Sequence, residues 1–512
     1  LDAAESDTYE IWEMRKHWQR FQMQASELTK TIEHCSQSIV EIQSLRISPM
    51  LDNLDDFFTE IVRRFAGIER MLNGKPTELL LKKIELGKNL SSLSTLSHFE
   101  RAAVIVFQTR LLQLEKLTRA QFETLSTING YVHHDPTPAT RSVSSGFQWP
   151  DPDRMLASVQ VMLTMWLAYL ALIYVDSLPG GNGFVTMAAV FSMIMASTPQ
   201  ISLMLLFIPL AASVLFGCLV YLFIMPHLTT FLGLGLLLFM VTFAFCYLFA
   251  TPKQQLVKIF GIAMFLAVAS INNQQVYSFM VVATNVLMYP LLFMFLAITA
   301  HFPVNLSNEK SFLRLLGRYF RSCDYILSNM HDKSRQVESG LAKARMAFHL
   351  REISSIPLKL GPWARFMDLK VLSGTSAPDI QALITGLQEL SGRIKDLYQE
   401  RSSLKDRYLI TELSDDARSW RLIFKKTLQN ISTAPEAFDQ HTAEARLADI
   451  MNKLENRIRT VLDKLTPGQV EPGERENFYR LLGAYRGVSN ALIGHAVNAS
   501  SIDWSRWQEE RF

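Results

Sequence analysis

The chain has 512 residues, 49% hydrophobic and 19% charged, and its 51 Lys and Arg against 48 Asp and Glu leave a net charge of +3. That balance carries no nucleic-acid signal, and four cysteines without C-x-x-C spacing exclude a disulfide framework and read as reduced thiols. The totals average two unlike materials, because from Met155 to Asn308 the only acid is Asp176 and the only bases are Lys253 and Lys258. A charge at the centre of an inserted helix costs about 2.5–3.5 kcal/mol, so this stretch reads as a membrane domain between two water-soluble ones.

The chain opens on "LDAAESDTYE", with no initiator Met, basic n-region or apolar h-region, which reads as a fragment or processed chain without a signal peptide. Apolar or small residues then recur as Ile11, Met14, Trp18, Phe21, Ala25, Leu28, Ile32, Cys35, Ile39 and Ile42, the alternation of three and four that marks a long helix with one seam. Pro49 ends it, "NGKP" at Asn73–Pro76 is a turn, and a further long helix is expected from about Ser97 to Thr127. Residues 1–132 thus form a cytosolic helical bundle, antiparallel in the plainer reading and a parallel dimeric coiled coil in the sharper one. Residues 133–153, rich in Pro, Ser, Thr and Asp, are a linker. Its neighbouring His133, His134 and Asp135 do not converge on an ion without further ligands, and no metal site is expected.

Residues 154–303 divide at Pro, Gly and polar interruptions into six candidate spans: Met155–Val175, Gly183–Ser197, Ile201–Met225, Leu228–Ala250, Leu256–Ile271 and Val276–Phe302. The second holds only about 15 apolar residues, roughly 22 Å of helix against a hydrocarbon core of about 30 Å, and the fifth is also short. With both soluble domains in the cytosol, Lys253 lies in an inner loop, Lys258 snorkels to the same face, and the outer loops carry no Lys or Arg. Making the short segments re-entrant moves Lys253 outside, so both are expected to cross, with a thinned bilayer or irregular ends lining a cavity. Short, Pro- or Gly-flanked spans point to a transport site.

Residues 304–512 are expected to form a second cytosolic helical bundle. It starts at a helix capped by Ser307, with Phe312, Leu315, Leu316, Tyr319, Cys323 and Ile326 on one face. The fold class is therefore all-α: a polytopic membrane protein with one six-helix transmembrane block between two cytosolic helical bundles.

The chain contains no G-x-x-x-x-G-K-[ST], G-x-S-x-G, H-E-x-x-H or EF-hand loop, so neither an enzyme nor a cofactor is expected. Polar residues at membrane depth carry the site instead. Asn182, Thr186 and Ser197 share a face of the second span; Gln200 follows it; Asn272, Asn273 and Gln275 cap the fifth; Ser278 and Asn285 stand on the sixth. These are the substrate-path candidates, weighed against simple close contact between helices. Lys253 and Lys258 would attract an anion at the inner face, and Asp176, His227 or His301 would carry any proton, since no acid lies deeper. Gly217, Gly233 and Gly235 read as helix-contact residues.

The run "PGGNGFVTMAAVFSMIMASTPQISLMLLFIPLAASVLFGCLVYLFIMP", Pro179–Pro226, has a glycine-rich outer loop, a short helix ending in a Pro turn and a long helix ending in Pro. It resembles the C-terminal membrane half of the fusaric acid resistance or aromatic acid exporter (FUSC) family, and within it the inner-membrane subunits of p-hydroxybenzoic acid efflux pumps. Members generally carry two such membrane blocks, and this chain has one. The resemblance implies export of aromatic carboxylic acids and a periplasmic membrane-fusion partner. The expectation is a secondary, non-ATP exporter of amphipathic organic anions in the bacterial inner membrane, embedded in lipid, homo-oligomeric and without nucleic-acid partners. A membrane-anchored scaffold working through the Ile11–Ile42 seam and an anion channel of related layout are the alternatives.

Overall fold

The computed structural model describes residues 15–43, 45, 47, 49–75, 77, 81–89, 96–129, 151–176, 178, 181–198, 203–251, 254–269, 278–301, 308–330, 340–367, 375–403, 414–433, 440–463, 472–502 and 504. Fifteen helices account for nearly all of them, and a two-residue antiparallel ladder, β1 (Leu51–Asp52) with β2 (Gly87–Lys88), is the exception. The contacts divide the chain into two compact units, one charged and one apolar.

The charged unit takes residues from both ends of the chain. It holds α1 (Arg15–Ile42), α2 (Leu54–Leu72) and α3 (His98–Ile128). Ser97 starts α3 with a capping box: Glu100 N donates to Ser97 Oγ at 3.3 Å, and Ser97 N donates to Glu100 Oε2 at 2.9 Å. One face of α3, with Val104, Phe107, Leu111 and Leu114, is buried against Leu28, Cys35 and Ile42 of α1 and Phe57 and Ile61 of α2. Another face, with Phe99, Ala102 and Ile105, is buried against α14 (Gln440–Asp463) and α15 (Pro472–Ser500) through Leu454, Ile458, Phe478, Tyr479 and Leu482. The sequence divides these helices into two bundles, before and after the apolar stretch; in the structure they fall in one compact unit, with a separate apolar cluster on each face of α3. An α-helix apolar on more than one side has to be enclosed, and α3 is enclosed by partners from both ends.

The α1 seam is used internally. Phe21, Leu28, Cys35 and Ile42, seven apart, are buried, while Ile32 and Ile39 of the other row are exposed. Ile11 and Met14 lie outside the described residues. Burial pushes the Cys35 thiol up to about 11, so it stays protonated at neutral pH. The rest of this unit comes from parts of α10 (Asn308–Asn329) and α11 (Gly340–Arg365), from α12 (Ala377–Ser403) and from α13 (Ser414–Thr433). Ser307 and the linker from His133 to Trp149 lie outside the described residues. Tyr319 Oη donates to Leu387 O at 2.9 Å, and Trp420 Nε1 donates to Ser489 Oγ at 2.9 Å, so two of the largest buried side chains have their polar atoms satisfied.

The apolar unit contains α4 (Pro152–Tyr174), α5 (Asn182–Ser197), α6 (Leu203–Leu219), α7 (Phe231–Leu248), α8 (Gln255–Ala269) and α9 (Phe279–His301). Helices coincide with all six expected spans, to within a few residues at most ends. Among the described residues four stretches, Pro152–Tyr174, Leu210–His227, Phe231–Leu248 and Val282–Thr299, are long and apolar enough to cross a membrane, and α5 and α8 are shorter apolar helices. The third span departs from a plain α-helix at its end. It widens into a π-turn at Val220–Ile224 and tightens into a 3₁₀ turn at Met225–His227, where Pro226 cannot continue the backbone ladder. Phe184, Ala188 and Phe191 of α5, Val214 and Cys218 of α6, Phe265 and Val268 of α8 and Leu292 of α9 form the core. In α7 only Val241 is buried, as a helix facing hydrocarbon allows.

Of the three glycines read as contact residues, Gly217 fits best: an added Cβ would lie 3.2 Å from Val268 Cβ and 3.7 Å from Phe265 Cα, so α6 and α8 meet backbone to backbone. Gly235 faces open space. Gly217→Leu is therefore expected to force the pair apart and lower stability by about 1–3 kcal/mol, while Gly235→Leu changes little. Thermal midpoints of the detergent-solubilised variants check this; equal midpoints would refute the close approach.

A candidate anion groove between the first two apolar helices

α4 begins with Asp151 as its N-cap, whose carboxylate accepts from Asp153 N at 3.1 Å, and Pro152 occupies the first turn, where its missing N–H costs nothing. Lys359 of α11 holds both carboxylates, with Nζ 2.7 Å from Asp151 and 2.9 Å from Asp153. The next residue, Arg154, is exposed, and its guanidinium has no ion-pair partner among the described residues. At its other end α4 gives way to a turn in which Gly181 adopts φ 49°, a left-handed value that glycine reaches without strain, and α5 then runs back beside α4.

A groove of about 630 Å³ lies between the two helices. Its α4 wall is Arg154, Ser158, Met162, Met165, Trp166 and Tyr169, with Met193 and Ser197 from α5. Because the helices are antiparallel, Ser197 at the end of α5 stands at the same level as the start of α4. The groove thus has a cationic, hydroxylated end and, roughly 22 Å along the helix at Tyr169, an aromatic one. Both hydroxyl protons are spent locally, Ser158 Oγ donating to Arg154 O at 2.9 Å and Ser197 Oγ to Ile194 O at 2.7 Å. Arg154 is then the charged donor facing a ligand, reinforced by the positive end of the α4 dipole. Deeper in, Thr164 Oγ1 donates to Thr299 Oγ1 at 2.9 Å, both buried, and ties the back of α4 to α9.

The residues singled out from the sequence are dispersed. Ser197 lines the groove; Asn182 and Thr186 are exposed on the same helix, with Thr186 Oγ1 donating to Asn182 O at 3.2 Å, but they lie beyond it. Ser278 Oγ accepts from Met280 N at 3.2 Å at the start of α9, a capping role. Gln200, Lys253, Asn272, Asn273 and Gln275 lie outside the described residues, as do the side chains of Asn285 and His301. Lys258 is half-buried in α8, and Asp176 is exposed just after α4. His227 Nδ1 donates to Phe223 O at 2.9 Å, which fixes the ring against the π-turn. The α4 wall was missed although its signal is present: Arg154, Ser158, Met162, Met165, Trp166 and Tyr169 recur at steps of three, four and one, a single helical stripe.

Apolar helices of membrane-crossing length joined to a charged helical unit define an all-α polytopic membrane protein. Residues 14–469 match the fusaric acid resistance protein family (FUSC), and the chain belongs to it. This is a family of membrane transporters, and membership points to a transport role. No individual curated protein matches the chain.

Proposed function

We propose that this chain is part of a secondary efflux transporter that moves aromatic carboxylic acids or similar amphipathic anions out across the bacterial inner membrane. The groove of α4 and α5 is the observation that carries the reading. A guanidinium at one end suits a carboxylate, and the rings of Trp166 and Tyr169 with the thioethers of three methionines suit an aromatic body. Lys253 and Lys258 raise the local anion concentration at the inner face, and the polar residues of the second, fifth and sixth spans line the onward path. Asp176, His227 or His301 supplies the proton step where one is coupled. Both short helices cross, and both flanking segments are cytosolic. A periplasmic membrane-fusion protein and further copies of the chain complete the assembly. The scaffold alternative keeps only part of its working surface, since Leu28, Cys35 and Ile42 of the α1 seam are buried while Ile32 and Ile39 stay exposed.

The test is uptake of labelled p-hydroxybenzoate into inside-out membrane vesicles. A charge-assisted contact is worth about 1.5–3 kcal/mol, so Arg154→Gln is expected to lower the initial rate at low substrate by about 10- to 100-fold, with Arg154→Lys between. An Arg154→Gln protein that transports like the parent would end the groove reading. Flux that ignores the proton and sodium gradients would favour a channel.

A further inference from the structure

The groove of α4 and α5 is open along its outer side. Met162, Trp166, Tyr169 and Met193 line it and are 52, 64, 51 and 62% exposed. The helix that carries the first three is long and apolar enough to cross a membrane, so the medium at the opening is hydrocarbon. A pocket for a small ligand usually encloses most of that ligand's surface, whereas this groove leaves a whole flank to lipid. Charge is confined to one end. Asp151, Asp153, Arg154 and Lys359 gather where α4 begins, which puts that end at the water interface, and of the four only Arg154 lines the groove. Lys359 holds both carboxylates, at 2.7 and 2.9 Å, outside it.

The proportions of the groove suit a lipid. From Ser158 to Tyr169 the α4 wall runs roughly 16 Å, close to one leaflet of a hydrocarbon core of about 30 Å. A benzoate-sized acid fills only the Arg154 end of the 630 Å³, while an extended acyl chain follows Met162, Trp166 and Met193 as far as Tyr169. A guanidinium fork matches phosphate oxygens, and basic pockets between membrane helices take anionic headgroups for that reason. We propose that an anionic phospholipid is the resident occupant of this groove, with its phosphate on Arg154 and one acyl chain along the α4 wall, and that an organic acid binds by displacing it. The displacement rests on the transport reading of the same groove, and the lipid site rests on its shape and charge alone.

Quenching of tryptophan fluorescence by lipids brominated on their acyl chains tests the proposal. The full chain is reconstituted in phosphatidylcholine vesicles doped with brominated phosphatidylglycerol or, in a second series, with brominated phosphatidylcholine. The Trp166 signal is the difference between the parent and Trp166→Phe. Trp166 lies roughly 18 Å along α4 from Arg154, within reach of chain bromines and beyond the headgroups. Phosphatidylglycerol is expected to compete for this position about tenfold better than phosphatidylcholine. Arg154→Gln is expected to abolish the preference, and so is Ala157→Phe, which fills the groove and leaves Arg154 in place. Equal quenching by the two lipids, or a preference that survives either substitution, overturns the proposal; survival in Ala157→Phe would assign it to headgroup attraction at the surface. Added p-hydroxybenzoate is expected to relieve the quenching by phosphatidylglycerol. A preference that the acid leaves untouched keeps the lipid and overturns the displacement, so the lipid site and the transport reading fail separately.

Discussion

Replacing Arg64 by Met is expected to destabilise the charged unit by about 3–5 kcal/mol, the range for removing one partner of a buried ion network. Arg64 is 1% exposed. Its Nε donates to Glu60 Oε1 at 3.1 Å, and its Nη1 reaches Glu115 Oε1 at 3.2 Å and Glu115 O at 3.2 Å, while Nη2 donates to Lys82 O. One guanidinium therefore ties α2 to α3 and to the segment before β2. Without it Glu60 and Glu115 face each other in the interior, with Arg63 at 2.8 Å and Arg119 at 3.6 Å left to neutralise them from the side. The fall in thermal midpoint is on the order of 10 °C. Adding Glu60→Gln and Glu115→Gln to Arg64→Met is expected to recover part of the loss, because the uncompensated charge is what costs most. A single variant that melts within a degree or two of the parent would contradict this account of the network.

Acidification is expected to weaken the same unit through His495. The residue is 1% exposed on α15, against Phe320 at 5.7 Å between ring centroids, and neither ring nitrogen has a hydrogen-bond partner among the described residues. Burial alone pushes its pKa down from 6.5 to about 4. The folded ring stays neutral down to about pH 4, whereas the unfolded chain takes up the proton near pH 6.5. Unfolding gains a proton throughout that window, so stability is retained above pH 6.5 and lost progressively as pH falls towards 4, by about 3 kcal/mol in all. His495→Leu, similar in volume and without a titrating group, should flatten this part of the profile and remove two unsatisfied buried nitrogens. Midpoints measured between pH 7 and 4.5 on both proteins decide it; parallel curves would assign the acid loss to carboxylates elsewhere.

Helices are written locally, and that is why the apolar block was readable. The expected Gly183–Ser197 and Leu256–Ile271 spans meet α5 (Asn182–Ser197) and α8 (Gln255–Ala269) closely, because Pro, Gly and Gln residues punctuate a charge-free stretch. Which helices meet is not written locally. Nothing around Phe99 or Ile105 announces that Phe478 and Leu482 will cover them, and Arg64 sits in an ordinary amphipathic pattern until Glu115 is brought beside it. The site shows the same divide. Attention to the short spans found Ser197 but passed over Arg154, Trp166 and Tyr169 of α4. Only the pairing of α4 with α5 brings those residues together in one groove.

The double-sided enclosure of α3 also sets a schedule for biosynthesis. The ribosome makes Phe99 roughly 380 residues before Phe478, an interval of roughly 20–75 s at 5–20 residues per second. During that time the insertion machinery is threading the greasy middle of the polypeptide, and one flank of α3 waits bare beside it. A nascent chain in this condition invites a holdase, and a stall before Phe478 leaves a sticky, unfinished product.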